Sequence, residues 1–147
     1  MAKHYNQGRF QPKFPEKYVG DATNIVYRSS WELKFMNFAD KNAQVIRWGS
    51  EEIILPYYSQ VDNKMHRYYP DFVMLVEDNA GQRKRYLVEI KPESQTVPPK
   101  PRSRVTRTYI NELATYSVNT AKWNAADAWC KKNNMEFLIL TEKHLNV

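Results

Sequence analysis

"YYPDFVMLVEDNAGQRKRYLVEIKP", residues 68–92, is the stretch whose reading decides the fold. "YPDFVMLVE" and "KRYLVEIK" are rich in β-branched and aromatic residues, and "DNAG" between them is a turn signal. The pattern predicts a β-hairpin. With the turn centred on Ala80, Glu77 faces Arg83, Met74 faces Tyr86, Val73 faces Leu87 and Phe72 faces Val88, each a sensible cross-strand pair. The same register sets Asp71 opposite Glu89. Directly opposed residues have Cβ atoms about 4.5–5.5 Å apart, and like charges there are destabilising. Lys91 lies two residues beyond Glu89 and so shares its face.

Two acids and a lysine serve a packing hairpin poorly. Carboxylates that close together call for a cation between them. Lys91 can supply part of that charge as an ion pair. A divalent metal supplies more, and Mg²⁺ is typically held by one or two carboxylates, water and substrate phosphate. Such an ion neutralises phosphodiester charge and lowers the pKa of a bound water. A lysine beside it can orient that water or stabilise developing negative charge.

Working outward, "SSWELKFMNFADKN" predicts a helix capped by Ser29 or Ser30, with Trp31, Phe35, Phe38 and Ala39 on its apolar stripe. Glu32 sits beside the stripe, where Ser29-x-x-Glu32 fits a capping box. "AQVIRWG" and "EEIILPYYSQ" read as two short strands around a Gly49-Ser50 turn. After the hairpin, "PESQTVPPKPRSR" (92–104) is a proline-rich loop carrying Lys100, Arg102 and Arg104, and loops of that length are often functional. "VTRTYINELATYSV" and "NTAKWNAADAWCKKNN" read as two helices, and "MEFLILTE" as a last, buried strand. The order is that of an α/β sandwich around a mixed sheet.

Residues 1–28 show no helical period and hold Gly8, Pro12, Pro15 and Gly20, which suggests an extended arm before a single domain over 29–147. Lys3, Arg9, Lys13, Lys17 and Arg28 make the arm basic, with Tyr5, Phe10, Phe14 and Tyr18 interleaved. Two readings stand for it: phosphate contact with base stacking, or aromatics that anchor it to the domain surface.

At 147 residues the chain can bury a proper core, and its 14% aromatic content is well beyond that of a disordered chain. A net charge of +6 favours an anionic partner, with nucleic acid ahead of membrane. Cys130 is the only cysteine, which leaves no internal disulfide and no cysteine zinc site. No signal-peptide core or membrane-length apolar run stands out, so a cytoplasmic setting is expected. His4, His66 and His144 lack metal-ligand spacing, and no phosphate-binding G-x-x-x-x-G-K-[ST] loop is present, so no nucleotide cofactor is expected. Asp62 and Glu93 flank the hairpin, with Glu93 expected to face solvent.

Pro70-Asp71, a hairpin, then Glu89-Ile90-Lys91 resembles the PD-(D/E)xK pattern of restriction-endonuclease-like nucleases, whose αβββαβ core matches the expected element order. "YRSSWELKFMNFAD" is similar to the first motif of the TnsA-type endonucleases. "PEKYVGDATNIVYRSSWE" and "WNAADAWCKKNNMEFLILTE" resemble the head completion nucleases of T-even-like tailed phages. The resemblance spans about residues 8–142. It implies a catalytic set of Glu32, Asp71, Glu89 and Lys91. It implies a metal, Mg²⁺ with Mn²⁺ able to substitute, held by Asp71, Glu89 and the carbonyl of Ile90. It implies DNA as the substrate, and the basic arm and the 100–107 loop then offer Lys13, Lys17, Arg28, Lys100, Arg102, Arg104 and Arg107 as phosphate contacts. Lys122 is read as either a phosphate contact or a solvated helix residue. The implied partners are head, neck or portal proteins, and the implied location is the host cytoplasm during assembly, or the virion.

Two further readings compete with an endonuclease of head maturation. One is a DNA-end or neck-binding assembly protein on a nuclease fold; the other is a transposase-like end-cutting subunit. The presence of Glu32, Asp71, Glu89 and Lys91 together favours the nuclease, because a protein that only binds DNA has no use for acids that repel phosphate.

Overall fold

In the computed structural model, which describes residues 7–146, the hairpin takes the register dictated by side-chain alternation. Its strands are Phe72–Glu77 and Arg83–Ile90, paired antiparallel from Glu77–Arg83 to Phe72–Val88. The turn is built by Asp78, whose carboxylate accepts the N–H groups of Ala80 and Gln82. Gly81 follows at φ +81°, a conformation that suits glycine.

In chain order the elements are β1 (Gly8–Phe10), β2 (Ile25–Tyr27), α1 (Ser30–Lys41), β3 (Val45–Ser50), β4 (Leu55–Ser59), β5 (Lys64–Tyr68), β6 (Phe72–Glu77), β7 (Arg83–Ile90), α2 (Arg107–Lys132), β8 (Met135–Leu140) and the short α3 (Glu142–Leu145). The central sheet has the order β3-β6-β7-β8. Its first three strands are antiparallel neighbours, and β8 runs parallel to β7. This is the expected αβββαβ core with a mixed sheet. Adjacent residues of β7 show the two layers. Val88 faces a core built with Phe35, Met36 and Ala39 of α1, whereas Leu87 faces one built with Ala126 and Cys130 of α2. Phe35 stacks on Phe72 with ring centroids 4.4 Å apart, so α1 is fixed directly over β6.

Several local expectations are corrected. β3 and β4 do not pair across Gly49-Ser50. β3 pairs with β6, and β4 pairs with β5 in a separate hairpin that the sequence pattern does not reveal. The two helices expected after residue 104 are one helix of 26 residues. No Gly or Pro interrupts 107–132, so nothing forces a break. In α1, Met36 rather than Phe38 joins the core, and Phe38 is exposed. β8 lies at the sheet edge and is half-buried rather than buried.

The basic N-terminal segment is also folded rather than extended over its described part; Lys3, His4 and Tyr5 lie outside the described residues. β1 and β2 pair, and Phe10 and Ile25 enter the α1-side core. Buried Asp40 fixes the segment by accepting the N–H groups of Lys13 and Phe14 at 2.8 and 3.0 Å. Lys17 donates to the carbonyls of Asp40 and Asn42 at 2.8 and 3.0 Å, capping the C-terminal end of α1. The segment is anchored to the domain through Phe10 and Asp40, while Lys13 and Phe14 stay exposed.

Asp40→Ala should orphan two N–H donors, at roughly 1–3 kcal/mol each. Urea unfolding of the variant should show a clearly lower midpoint. An unchanged midpoint would mean that the Asp40 contacts contribute nothing to the fold.

Candidate active site

β6 and β7 end together, and the site forms where their ladder stops. Asp71 lies one residue before the last pair, Phe72–Val88. Its Oδ2 accepts the N–H of Ile90 at 2.7 Å, so a carboxylate continues the ladder where a backbone carbonyl would otherwise stand. In an extended strand, N–H and C=O of one residue point to the same side. The Ile90 carbonyl therefore lies on the edge that Asp71 occupies. On the other side, the N–H of Lys91 donates to Leu140 of β8 at 3.0 Å. The Glu89–Lys91 segment is thus gripped from both flanks.

Glu32, Asp71, Glu89, Ile90 and Lys91 line one cleft of about 540 Å³. All four side chains expected in the catalytic set converge there. Glu89 is buried, at 6% exposure. Its Oε1 accepts the Tyr68 hydroxyl at 2.7 Å, and its Oε2 lies 3.6 Å from Nζ of Lys91. Burial, then the neighbouring Glu89 charge, pushes the Asp71 carboxyl up to about 8. Burial likewise raises the Glu89 and Glu32 carboxyls. Three acids share a desolvated cleft, and Lys91 alone does not balance them.

That imbalance tests whether a metal suits the site. The oxygens of Asp71 and Glu89 with the Ile90 carbonyl make an all-oxygen donor set, which suits a hard cation that keeps several waters. Among the described residues, no group of three or more His, Cys, Asp or Glu side chains forms a metal cage. A cation here would be held by two carboxylates, a carbonyl and water, as Mg²⁺ usually is. The residues fit such an ion.

Glu32 turns out to serve a cap as well. Ser29 caps α1 by accepting the N–H of Glu32, but the Glu32 carboxylate reaches back to the N–H of Arg28 at 3.2 Å, not to that of Ser29. The reciprocal half of the capping box is displaced by one residue.

The basic residues divide. Lys100, Arg104 and Arg107 are exposed, and among the described residues they form no ion pair. Lys13 is exposed, with only its backbone engaged. Lys17 is spent on the end of α1. Arg28 makes a two-pronged contact with Glu51, at 2.7 and 3.2 Å. Arg102 pairs with Glu112 at 2.9 Å and lies over the Tyr109 ring. Lys122 is neither openly solvated nor on the cleft lining. Its Nζ stands 5.6 Å from the Tyr68 ring centroid and 5.9 Å from that of Tyr57, behind Glu89. Burial, then the Lys91 charge, lowers its pKa. Glu93 faces solvent as expected, and pairs there with exposed Lys143 at 3.0 Å. His66 stacks on Tyr57 and contacts Asp62, and His144 caps α3.

Sequence reasoning missed Tyr68 and Glu51. Tyr68 is 3% exposed, and burial, then the Glu89 charge, raises its phenol far above the ordinary range, so it remains a donor to Glu89. The available signal was its place in "YYPD", directly before Asp71. Glu51 adopts a left-handed conformation (φ 53°), and its N–H donates to the Asp71 carbonyl at 3.0 Å. No sequence signal marks a non-glycine residue at such a position.

The sequence model of the family described as "TnsA-like endonuclease N terminal" matches residues 42–142. The matched span holds Asp71, Glu89 and Lys91; Glu32 precedes it. The chain is also 42% identical over 142 residues to the head completion nuclease of Enterobacteria phage T4, covering 94% of this chain and 92% of that protein.

Two outcomes follow from the buried acids. The folded protein binds a proton at Asp71 that the unfolded chain releases at its ordinary value of 3.8. Metal-free stability should therefore fall as pH rises from that value through about 8. Asp71→Asn should flatten this slope and be the more stable protein above pH 8, as thermal melts across pH will show. Tyr68→Phe should destabilise the metal-free protein by about 1–3 kcal/mol, the cost of leaving one Glu89 oxygen unpartnered. Urea titration gives the measurement.

Proposed function

The chain belongs to the TnsA-like endonuclease family, and from that premise we propose that it is a metal-dependent DNA endonuclease acting in phage head completion. The observation that carries the proposal is the convergence of Glu32, Asp71, Glu89 and Lys91 on one cleft whose carboxylates are desolvated and short of positive charge. Their supporting context is the similarity to a protein named for head completion and nuclease activity.

Asp71, Glu89 and the Ile90 carbonyl would hold Mg²⁺, with Mn²⁺ able to replace it. When bound, the ion supplies Lewis acidity and a water of lowered pKa. The remaining work belongs to the chain. Tyr68 fixes one Glu89 oxygen and leaves the other turned toward Lys91. Lys91 places a cation at the mouth, where it orients the attacking water or steadies charge on the phosphoryl oxygens. Hydrolysis forms a bond from the water oxygen to phosphorus and breaks the bond to the leaving sugar oxygen, which takes a proton. Glu32 faces the same space from α1, and its raised pKa lets it hold a proton nearer neutrality than an ordinary carboxyl can. Lys100, Arg104 and Arg107 flank the cleft's exit loop as exposed cations for the DNA backbone. The product would be packaged DNA trimmed so that a head can join a tail. Its partners in that step would be head, neck or portal proteins, and its setting the host cytoplasm during assembly.

Lys91→Ala should fold normally and cut plasmid DNA about 10²–10³ times more slowly with Mg²⁺, the usual cost of losing one such electrostatic contact. Glu32→Gln should keep its stability, because an amide oxygen still accepts the Arg28 N–H, while cleavage falls. The deciding measurement is complementation of a phage lacking this protein, scored as heads able to join tails. If folded Lys91→Ala and Glu89→Gln proteins fail to cut yet restore full infectivity, cleavage is not the biological role.

Replacing Lys100, Arg104 and Arg107 together with Ala should lower the log–log salt slope of duplex binding by about 0.9 for each phosphate that is no longer neutralised. An unchanged slope, measured by anisotropy across salt concentrations, would remove these residues from the interface.

A further inference from the structure

A second cavity, of about 610 Å³, adjoins the cleft and shares Gln95 with it. One wall is the chain that follows Lys91, through Ser94, Pro99 and Lys100; the other is the N-terminal half of α2. The chemistry of the α2 wall is the reverse of what packing requires. Thr108, Asn111, Thr115 and Asn119 recur at three- and four-residue intervals, which stacks them on one helix face, and all of them line the cavity. Ile110 and Leu113 are exposed too, at 55% and 42%, so this half of α2 sends no apolar stripe into the core. A helix held by a core does the opposite.

At the cavity wall Asn119 is only 5% exposed. The side-chain hydrogen bonds along α2 are those of its end residues Thr106 and Asn133, and none among the described residues engages the Asn119 amide. Its amide atoms open onto the cavity rather than into the core. Its donors and acceptor are available to whatever enters. Tyr116 adds an aromatic ring to the lining, and exposed Lys100 adds a cation at the rim. Arg102, through Glu112 and Tyr109, fastens the loop wall to the helix, so the space is built rather than left between loose parts.

An aromatic ring, an amide with both hydrogen-bonding senses and a rim cation are the groups that receive a nucleotide. They supply stacking, contact with a base edge and contact with phosphate. A duplex does not fit into such a space; an unpaired nucleotide or two does. We infer that this groove takes an unpaired strand of DNA next to the scissile phosphate, so that the substrate is DNA with a single-stranded tail, flap or gap rather than continuous duplex. The inference deepens the nuclease reading and rests on it.

The test uses full-length protein in EDTA, with fluorescence anisotropy on a blunt duplex and on the same duplex carrying a short unpaired tail. The tailed probe should bind about tenfold more tightly, a factor that stacking of a single base can supply. Thr115→Trp fills the groove from an exposed position that leaves the core alone, and Asn119→Leu removes the amide at similar volume. In both, the ratio of tailed to blunt affinity should fall to about one. Equal binding of the two probes by the unaltered protein overturns the inference, as does a preference that survives Thr115→Trp. So does a Thr115→Trp protein that binds every probe normally yet fails in phage complementation, since the groove would then serve a protein segment. Plasmid cleavage with Mg²⁺ runs in parallel. Cutting without tail preference removes the groove and leaves the nuclease, whereas tail preference without cutting removes the nuclease reading and leaves the groove.

Discussion

A carboxylate standing in for a ladder partner is the contact on which the site depends. The Asp71 side chain accepts the Ile90 N–H at 2.7 Å just where β6 and β7 cease to pair through their backbones. The bond ties Asp71 to the neighbour of Glu89 and places both acids at the sheet's end. Their proximity raises the energy of the fully ionised pair. Tyr68 and Lys91 answer that one difficulty, removing part of the charge problem by a hydrogen bond and an ion pair. A hairpin chosen for stability alone would carry apolar side chains here.

The hairpin was legible because its period of two is set by side-chain burial, and a slip by one residue would turn Phe72 and Val88 away from the α1 core. The family pattern added the candidate site residues, since Asp71, Glu89 and Lys91 occupy fixed offsets from the hairpin ends. Less legible was the pairing of β3. Sequence adjacency favoured β4, but Trp48 and Val45 of β3 belong to the same core as Phe72 of β6, and burial decided the partner. The basic N-terminal segment misled for a related reason. Its prolines and glycines are signs of irregular chain, and they say nothing about whether that chain is docked. Asp40 decided it, and an aspartate in the last turn of a helix gives no sequence hint that it will bind backbone from 26 and 27 residues away.

Long-range charge pairing was the least legible part of the surface. Counting basic residues treats them as equivalent, whereas Lys17, Arg28 and Arg102 are engaged by the fold and Lys100, Arg104 and Arg107 are not. The difference depends on partners distant in the chain: Arg28 on Glu51, and Lys17 on the carbonyls of Asp40 and Asn42. Tyr68 belongs to the same category. Its aromatic ring reads as packing, and only the three-dimensional placement of Glu89 gives its hydroxyl a task.

The polar face that α2 turns to the groove has a consequence for stability along the helix. A helix of 26 residues is about 39 Å long, and its two halves are held by different forces. The C-terminal half is fixed by Ala126 and Cys130, both inaccessible to water. The first three turns lack such anchors and lean on the Arg102–Glu112 pair and the cap from Thr106. Local opening free energy follows buried apolar contact, so amide exchange should be graded along a single continuous helix, fast at its start and slow at its end. The half with fewer buried contacts is the wall of the groove, while the other shares a core with Leu87 of the strand bearing Glu89.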